Sequence, residues 1–273
     1  MRLGLVGSGV ADSPSRPMQE AALRAIGRDG SYEICDVDPT QLLAFLAEMR
    51  SGRFDGCNVT IPYKMALAAA CDQLEGDGQL LRVVNTITVD GGRLIGDNTD
   101  ARGFELALQE HDLWPEPGSR ALVVGAGGAA AAVALALARL RASYVVVTAR
   151  SKEASLALAE RLVGAGEIGI VSWDRDAVRR VLASAAIVVN ATPIGLVDLP
   201  FEIDDVPNSC TVADVRYRPR PVDLVAAAAD AGLRACDGVE MLLQQGMLSL
   251  RRWTGQDPPY AAARAALTKA VAQ

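Results

Sequence analysis

The sequence predicts an α/β protein of two domains, and three observations carry that prediction. The stretch Ala121-Leu-Val-Val-Gly-Ala-Gly-Gly-Ala-Ala-Ala-Ala-Val133 reads as a buried strand, a glycine turn and a helix start. Apolar runs of strand length alternate with helical periodicity along both halves of the chain, the pattern of a mainly parallel sheet covered by helices. The tail 238–273 reads as two helices with no strand to pair, so it is expected to return to the first domain. The predicted boundaries are 1–102, completed by 238–273, for a domain with a mixed, mainly parallel sheet, and 103–237 for a doubly wound domain.

Taken in order, residues 2–6 form a strand, 7–17 a loop and 17–26 a helix with proline in its first turn. Residues 32–37 are the next strand, Asp38-Pro39 caps a helix through residue 49, and 54–60 is a third strand. Asp90-Gly91-Gly92, between apolar runs at 83–89 and 94–95, signals a hairpin and so antiparallel pairing. Asp97-Asn98-Thr99-Asp100 caps a helix to about residue 110. A new βαβ series starts at Ser119, with further strands at 143–148, 168–171, 187–190 and 211–214. Residues 129–142 have helix composition, and the tail helices are 239–252 and 260–271.

Composition excludes several classes. With 273 residues, half of them hydrophobic, the chain can bury a substantial core. A net charge of −6 without a basic run argues against a nucleic-acid partner. The five cysteines, Cys35, Cys57, Cys71, Cys210 and Cys236, form no CxxC pair, so neither a disulfide framework nor a metal site is indicated and a reducing cytoplasm is expected. No secretory segment and no apolar run of about 18 residues is present, so no membrane partner is expected. His111 is the single histidine and lies in a polar connector. Proton transfer therefore falls to carboxylate, Lys, Tyr or Cys, and neither a Ser/His/Asp triad nor a histidine-based metal site is expected.

The glycine stretch points to a Rossmann-type dinucleotide site. Gly125 permits the tight turn, Gly127 lets backbone approach a pyrophosphate, Ala130 is the small residue where helix meets strand, and amides at the helix start face the anion. Gly125, Ala126, Gly127, Gly128 and Ala129 are the cofactor-binding candidates there. The second strand of this unit ends in Ala149-Arg150-Ser151-Lys152, where a site for NAD would place an acid on the ribose hydroxyls. Arg150 instead offers a guanidinium to a 2′-phosphate, with Ala149 and Ser151 beside it, so NADP is the expected cofactor.

Asn58-Val-Thr-Ile-Pro-Tyr-Lys64 leaves a strand and enters a helix at Pro62, which puts Lys64 in a first helical turn where a cation opposes the macrodipole. A residue that breaks a local rule is a functional candidate. Asp100 closes Asn98-Thr99-Asp100 at another helix start beside the domain junction. If both line one cleft, they bring an ammonium and a carboxylate to a substrate hydroxyl. Which of them titrates as the base belongs to the coupled pair.

These segments together resemble the shikimate dehydrogenase family from Gly7 to the final helices. The resemblance implies that Ser13 and Ser15 grip a substrate carboxylate, that Thr60 binds substrate, and that Lys64 is catalytic with Asp100. It implies that Asn85, Tyr217 and Gln245 contact the substrate, and that Thr192, the backbone of Val215, and Gly238 lie along the nicotinamide. The implied activity is NADP-dependent interconversion of 3-dehydroshikimate and shikimate by a monomer or homodimer. The chain departs from the family pattern at Asp12, Arg16, Gln19-Glu20, Arg82-Val83 and Val222, several of them flanking the substrate pocket. Shikimate, quinate and an amino-substituted relative therefore stay open as the ring acid, and a non-catalytic NADP-binding sensor is the alternative of another class.

Overall fold

In the computed structural model, which describes residues 1–272, internal contacts divide the chain into Met1–Thr99 with the tail from Leu242 onward, and Asp100–Met241. The first unit runs β1 (Arg2–Gly7), α1 (Ser15–Ala25), β2 (Ser31–Asp36), α2 (Leu42–Arg50), β3 (Gly56–Val59), α3 (Lys64–Ala70), β4 (Gln73–Leu74), α4 (Gly76–Leu81), β5 (Thr86–Asp90) and β6 (Arg93–Asp97). Its sheet has the order β2-β1-β3-β5-β6-β4. β1 is parallel to β2 and β3, while β5 is antiparallel to β3 and β6, so the sheet is mixed as expected. Gly91 and Gly92 take left-handed backbone angles at the β5–β6 turn. β1 and β3 are almost wholly buried, and their one buried polar side chain, Asn58, is hydrogen-bonded by Tyr32.

The second unit runs α5 (Asp100–Glu110), β7 (Arg120–Val124), α6 (Gly128–Arg139), β8 (Tyr144–Thr148), α7 (Lys152–Arg161), β9 (Ile168–Val171), α8 (Arg175–Leu182), β10 (Ala185–Asn190), β11 (Thr211–Asp214), α9 (Asp223–Asp230) and β12 (Ala235–Cys236). Its sheet is wholly parallel in the order β12-β11-β10-β7-β8-β9. Counted from β7 and read from the other edge this is 3-2-1-4-5-6, the Rossmann order, whose direction reverses between β7 and β10. Residues Ala130 to Leu137 of α6 are all buried. Alanine makes this possible, since its small side chain lets the helix lie close to β7, β8 and α5 at once.

The chain then enters α10 (Val239–Thr254) and α11 (Tyr260–Val271). From Leu242 these helices belong to the first unit, where α11 lies along α1 and the Trp253 indole donates to the Ile87 carbonyl at 3.1 Å. The tail thus completes the first unit. Among the described residues no helix is long and apolar enough to cross a membrane.

Local expectations are corrected at several points. α1 begins at Ser15, because Pro14 takes the capping position and Pro17 stands third in the helix. Asp38 caps a short 3-10 turn, Pro39–Gln41, from which α2 follows. Pro62 lies outside α3: Tyr63 N–H bonds the Thr60 carbonyl at 2.9 Å, closing a turn across the cis Ile61-Pro62 bond, so Lys64 becomes the first helical residue. β5 starts at Thr86 because left-handed Arg82 ends α4 and Val84 N–H is taken by the Lys64 carbonyl. β4, α4 and β12 are too short for periodicity to reveal.

Candidate active site

The ends of β3, β5 and β6 meet α10 in a cluster of buried small polar side chains. Asn85 Nδ2 donates to Thr99 Oγ1 at 2.9 Å and to Gln245 Oε1 at 3.1 Å, while Asn85 Oδ1 accepts from Thr99 N–H at 2.8 Å. Ser249, one helical turn after Gln245, lies 2.7 Å from Thr86 Oγ1 and accepts from Asn58 Nδ2 at 2.9 Å. Asn58 accepts in turn from the Tyr32 hydroxyl at 2.8 Å. Of the predicted substrate residues, Asn85 and Gln245 are thus brought together across the chain. Thr86, Thr99, Asn58 and Ser249 are additional members that sequence reading did not single out. Their one legible signal is the spacing of Gln245 and Ser249 by four residues, which sets both on one helix face.

Ser13 and Ser15 also meet, with Ser13 Oγ donating to Ser15 Oγ at 3.1 Å and accepting from Ser15 N–H at 3.3 Å. Neighbouring Arg16 turns outward to Glu20 at 3.1 Å. Thr60 follows β3 with its N–H on the Val6 carbonyl at 2.9 Å. Lys64 is half-buried at the start of α3 in the first unit, and Asp100 is 4% exposed at the start of α5, directly after Thr99. Asp100 therefore sits where the dipole favours a carboxylate and Lys64 where it disfavours a cation. Tyr217 belongs to the second unit and is half-buried.

Burial pushes the thiols of Cys35, Cys210 and Cys236 up to about 12 and that of Cys71 to about 11. Burial raises the thiol of Cys57 as well, so all five stay protonated at neutral pH and none is a ready base for a substrate proton. Among the described residues no cluster of metal-ligating side chains occurs.

In the second unit the glycine turn lies at the reversal of strand order. Gly125 has φ +123°, and a Cβ there would come within 3.0 Å of the Ala191 carbonyl and the Thr192 methyl. Gly127 stands at the cap of α6 and has no side chain to accept from the amides of Ala129 or Ala130, as a capping hydroxyl or carboxylate would, and a Cβ on Gly127 would meet nothing within 4 Å. A helix start without a capping side chain, with open space beside its glycine, fits a pyrophosphate. Ala149 and exposed Arg150 leave β8, whereas the Ser151 hydroxyl caps α7 by accepting from Ala154 N–H at 3.1 Å.

Two loops beside this turn are tied by a network absent from the sequence reading. Asn190 accepts from Thr192 Oγ1 at 2.6 Å and donates to Asp214 at 3.0 Å. Arg216 donates to Asp214 at 2.6 Å and also reaches Asp223, whose other oxygen accepts from Leu196 N–H at 2.7 Å. Gly238 closes the arrangement: its N–H bonds the Arg216 carbonyl at 2.9 Å, and a Cβ on it would lie 2.0 Å from the Val215 carbonyl oxygen. Gly238→Ala must displace that backbone and is expected to cost about 1–3 kcal/mol, as overpacking does. A thermal melt should show Tm lower by several degrees; an unchanged Tm would mean that Val215 yields freely.

A parallel sheet wound in this order, with a glycine-capped helix start where the order reverses, is the frame of a dinucleotide-dependent enzyme. Residues 5–87 match the family model of the shikimate dehydrogenase substrate binding domain, 105–195 that of shikimate / quinate 5-dehydrogenase, and 238–268 that of the shikimate 5'-dehydrogenase C-terminal domain. The chain belongs to the shikimate dehydrogenase family and is an oxidoreductase. It is 40% identical to the shikimate dehydrogenase (NADP(+)) of Rubrobacter xylanophilus over 97% of this chain and 95% of that protein. Shikimate 5-dehydrogenase of Thermus thermophilus, solved with NADP(H) and shikimate, is 36% identical with a TM-score of 0.87 over 99% of both chains. Quinate dehydrogenase of Corynebacterium glutamicum, solved with NAD, is 31% identical with a TM-score of 0.87 over 98% of this chain and 99% of that one.

Proposed function

We propose that the protein interconverts 3-dehydroshikimate and shikimate with NADP, residues 1–102 and 238–273 binding the ring acid and 103–237 the cofactor. The observation that carries this reading is the Asn85–Gln245–Thr99 cluster, where amide and hydroxyl groups satisfy one another and can exchange those bonds for the hydroxyls of a polyol. When bound, NADP supplies the hydride acceptor for the alcohol. The first amides of α6, with Gly125 to Ala129, receive the pyrophosphate; Arg150, between Ala149 and Ser151, receives the 2′-phosphate; Thr192, Val215 and Gly238 border the nicotinamide. As the alcohol carbon is oxidised its hydroxyl proton must leave, and Lys64 and Asp100 take it as one coupled unit. In reduction Lys64, as ammonium, returns it. Ser13, Ser15, Thr60, Asn85, Tyr217 and Gln245 orient the ring. The reading places the enzyme in the cytoplasm, in keeping with five cysteines that are free thiols.

A second ring acid, quinate, is kept in view by the similarity to a quinate dehydrogenase. The test is NADP reduction by purified protein with shikimate, quinate and simple polyols. Shikimate is expected to give the highest kcat/KM; a clear quinate preference would reassign the substrate, and tight NADP binding without turnover on any of them would favour the sensor.

Ser13 and Ser15 are assigned to the carboxylate because adjoining hydroxyls donate to an anion without adding a titrating group. Ser13→Ala should raise KM for the ring acid several-fold, by about 1 kcal/mol for a lost hydrogen bond. An unchanged KM in Ser13→Ala together with a sharp rise in Arg16→Ala would move the carboxylate to the arginine.

A further inference from the structure

Parallel pairing brings β8 and β9 to their ends in step, Thr148 lying opposite Val171. Arg150 and Trp173 are each two residues past that pair. Neighbouring strands run about 4.8 Å apart, so equal offsets set the two side chains beside each other. The Arg150 guanidinium carbon lies over the Trp173 ring, 5.6 Å from its centroid. Trp173 is half-buried and rests on the apolar core that contains Val178. Directly after it Asp174 caps α8, accepting from Ala177 N–H at 2.9 Å. An apolar residue in front of such a cap commonly staples onto the helix at the position Val178 holds. Leucine could do that work equally well; an indole adds a π-face, and the group over it is an otherwise exposed guanidinium.

We infer that Trp173 is a specificity-determining residue that holds Arg150 in the orientation that receives the 2′-phosphate of NADP, an inference that rests on the cofactor reading of Arg150 above. A guanidinium held over a ring by its central carbon keeps N–H donors available for a bidentate bond to phosphate. A side chain already ordered loses less freedom on binding. NAD carries no 2′-phosphate and gains nothing from the arrangement, so the effect of Trp173 falls on the choice between the two cofactors.

The experiment measures the dissociation constants of NADP and NAD by calorimetric titration, and kcat/KM for each, in the full-length protein and in Trp173→Leu, Trp173→Phe, Arg150→Ala and the Trp173→Leu/Arg150→Ala pair. Trp173→Leu, which keeps the apolar staple, should lower kcat/KM for NADP about two- to fivefold, the weight of an exposed cation–π contact. The loss should lie in KM and leave NAD use unchanged. Trp173→Phe should recover part of it, and Trp173→Leu should add nothing once Arg150 is gone. Equal losses with both cofactors, or an undiminished loss in the Arg150→Ala background, would overturn the inference and leave Trp173 a structural staple. An Arg150→Ala protein with native NADP preference would instead overturn the cofactor reading itself, a result distinct from either.

Discussion

Lys64→Ala is expected to leave NADP affinity at its native value while kcat falls about 10²–10⁴-fold, the usual loss of a general acid–base. Lys64 lies in the first unit, whereas the glycine turn and Arg150 lie in the second, so the two readouts separate. The substitution places alanine at a helix start, where it is well tolerated, and the fold should survive. Asp100→Asn keeps the shape of a buried side chain and removes its charge, which isolates electrostatics from packing. Groups that work as a unit give non-additive losses, so the double variant should be little worse than the poorer single one. Steady-state kinetics with calorimetric titration of NADP decide the matter. Native kcat in Lys64→Ala, or losses that multiply in full, would show that the two residues do not form one proton-handling pair.

Arg216→Met should cost stability more than any other single change considered, about 3–5 kcal/mol, because it leaves the Asp214 carboxylate buried without its charged partner, with Asn190 still donating to it. A loss of that size lowers Tm by roughly 10 °C in a domain of this size. Burial already raises the carboxyl of Asp214 above its usual range, against the opposing hydrogen bonds from Arg216 and Asn190. A carboxyl whose folded pKa exceeds its unfolded one contributes stability at acid pH and loses it as pH rises through the folded value. Removing Arg216 raises that value further. The deficit of the variant should therefore be largest near neutral pH and shrink as the solution is acidified, and urea unfolding across that range measures it. A deficit that does not vary with pH would mean that Asp214 has found another partner. The same change should loosen the loops at Thr192 and Val215, which the Asp214–Arg216–Asp223 network joins.

Much of the architecture was legible because it is written in local physics. Alternating apolar runs and helical periodicity marked the strands of the second unit, with β9 and β11 falling on the expected residues. Gly125 marked a turn that few other residues can make, its φ of +123° leaving no easy place for a side chain. The terminal helices could be placed on the first unit simply because they had no strand to extend. Errors gathered at element ends, as at Ser15 and Lys64, where one proline or one turn hydrogen bond outweighs the periodicity of the segment. Tertiary structure alone decided which groups meet: Asn85 with Gln245, Thr86 with Ser249, Trp173 with Arg150, Arg216 with Asp214, Gly238 with Val215. Strand register and helix packing set those encounters by burying apolar surface elsewhere in each unit, and the polar side chains are carried to their partners by contacts that sequence spacing does not contain.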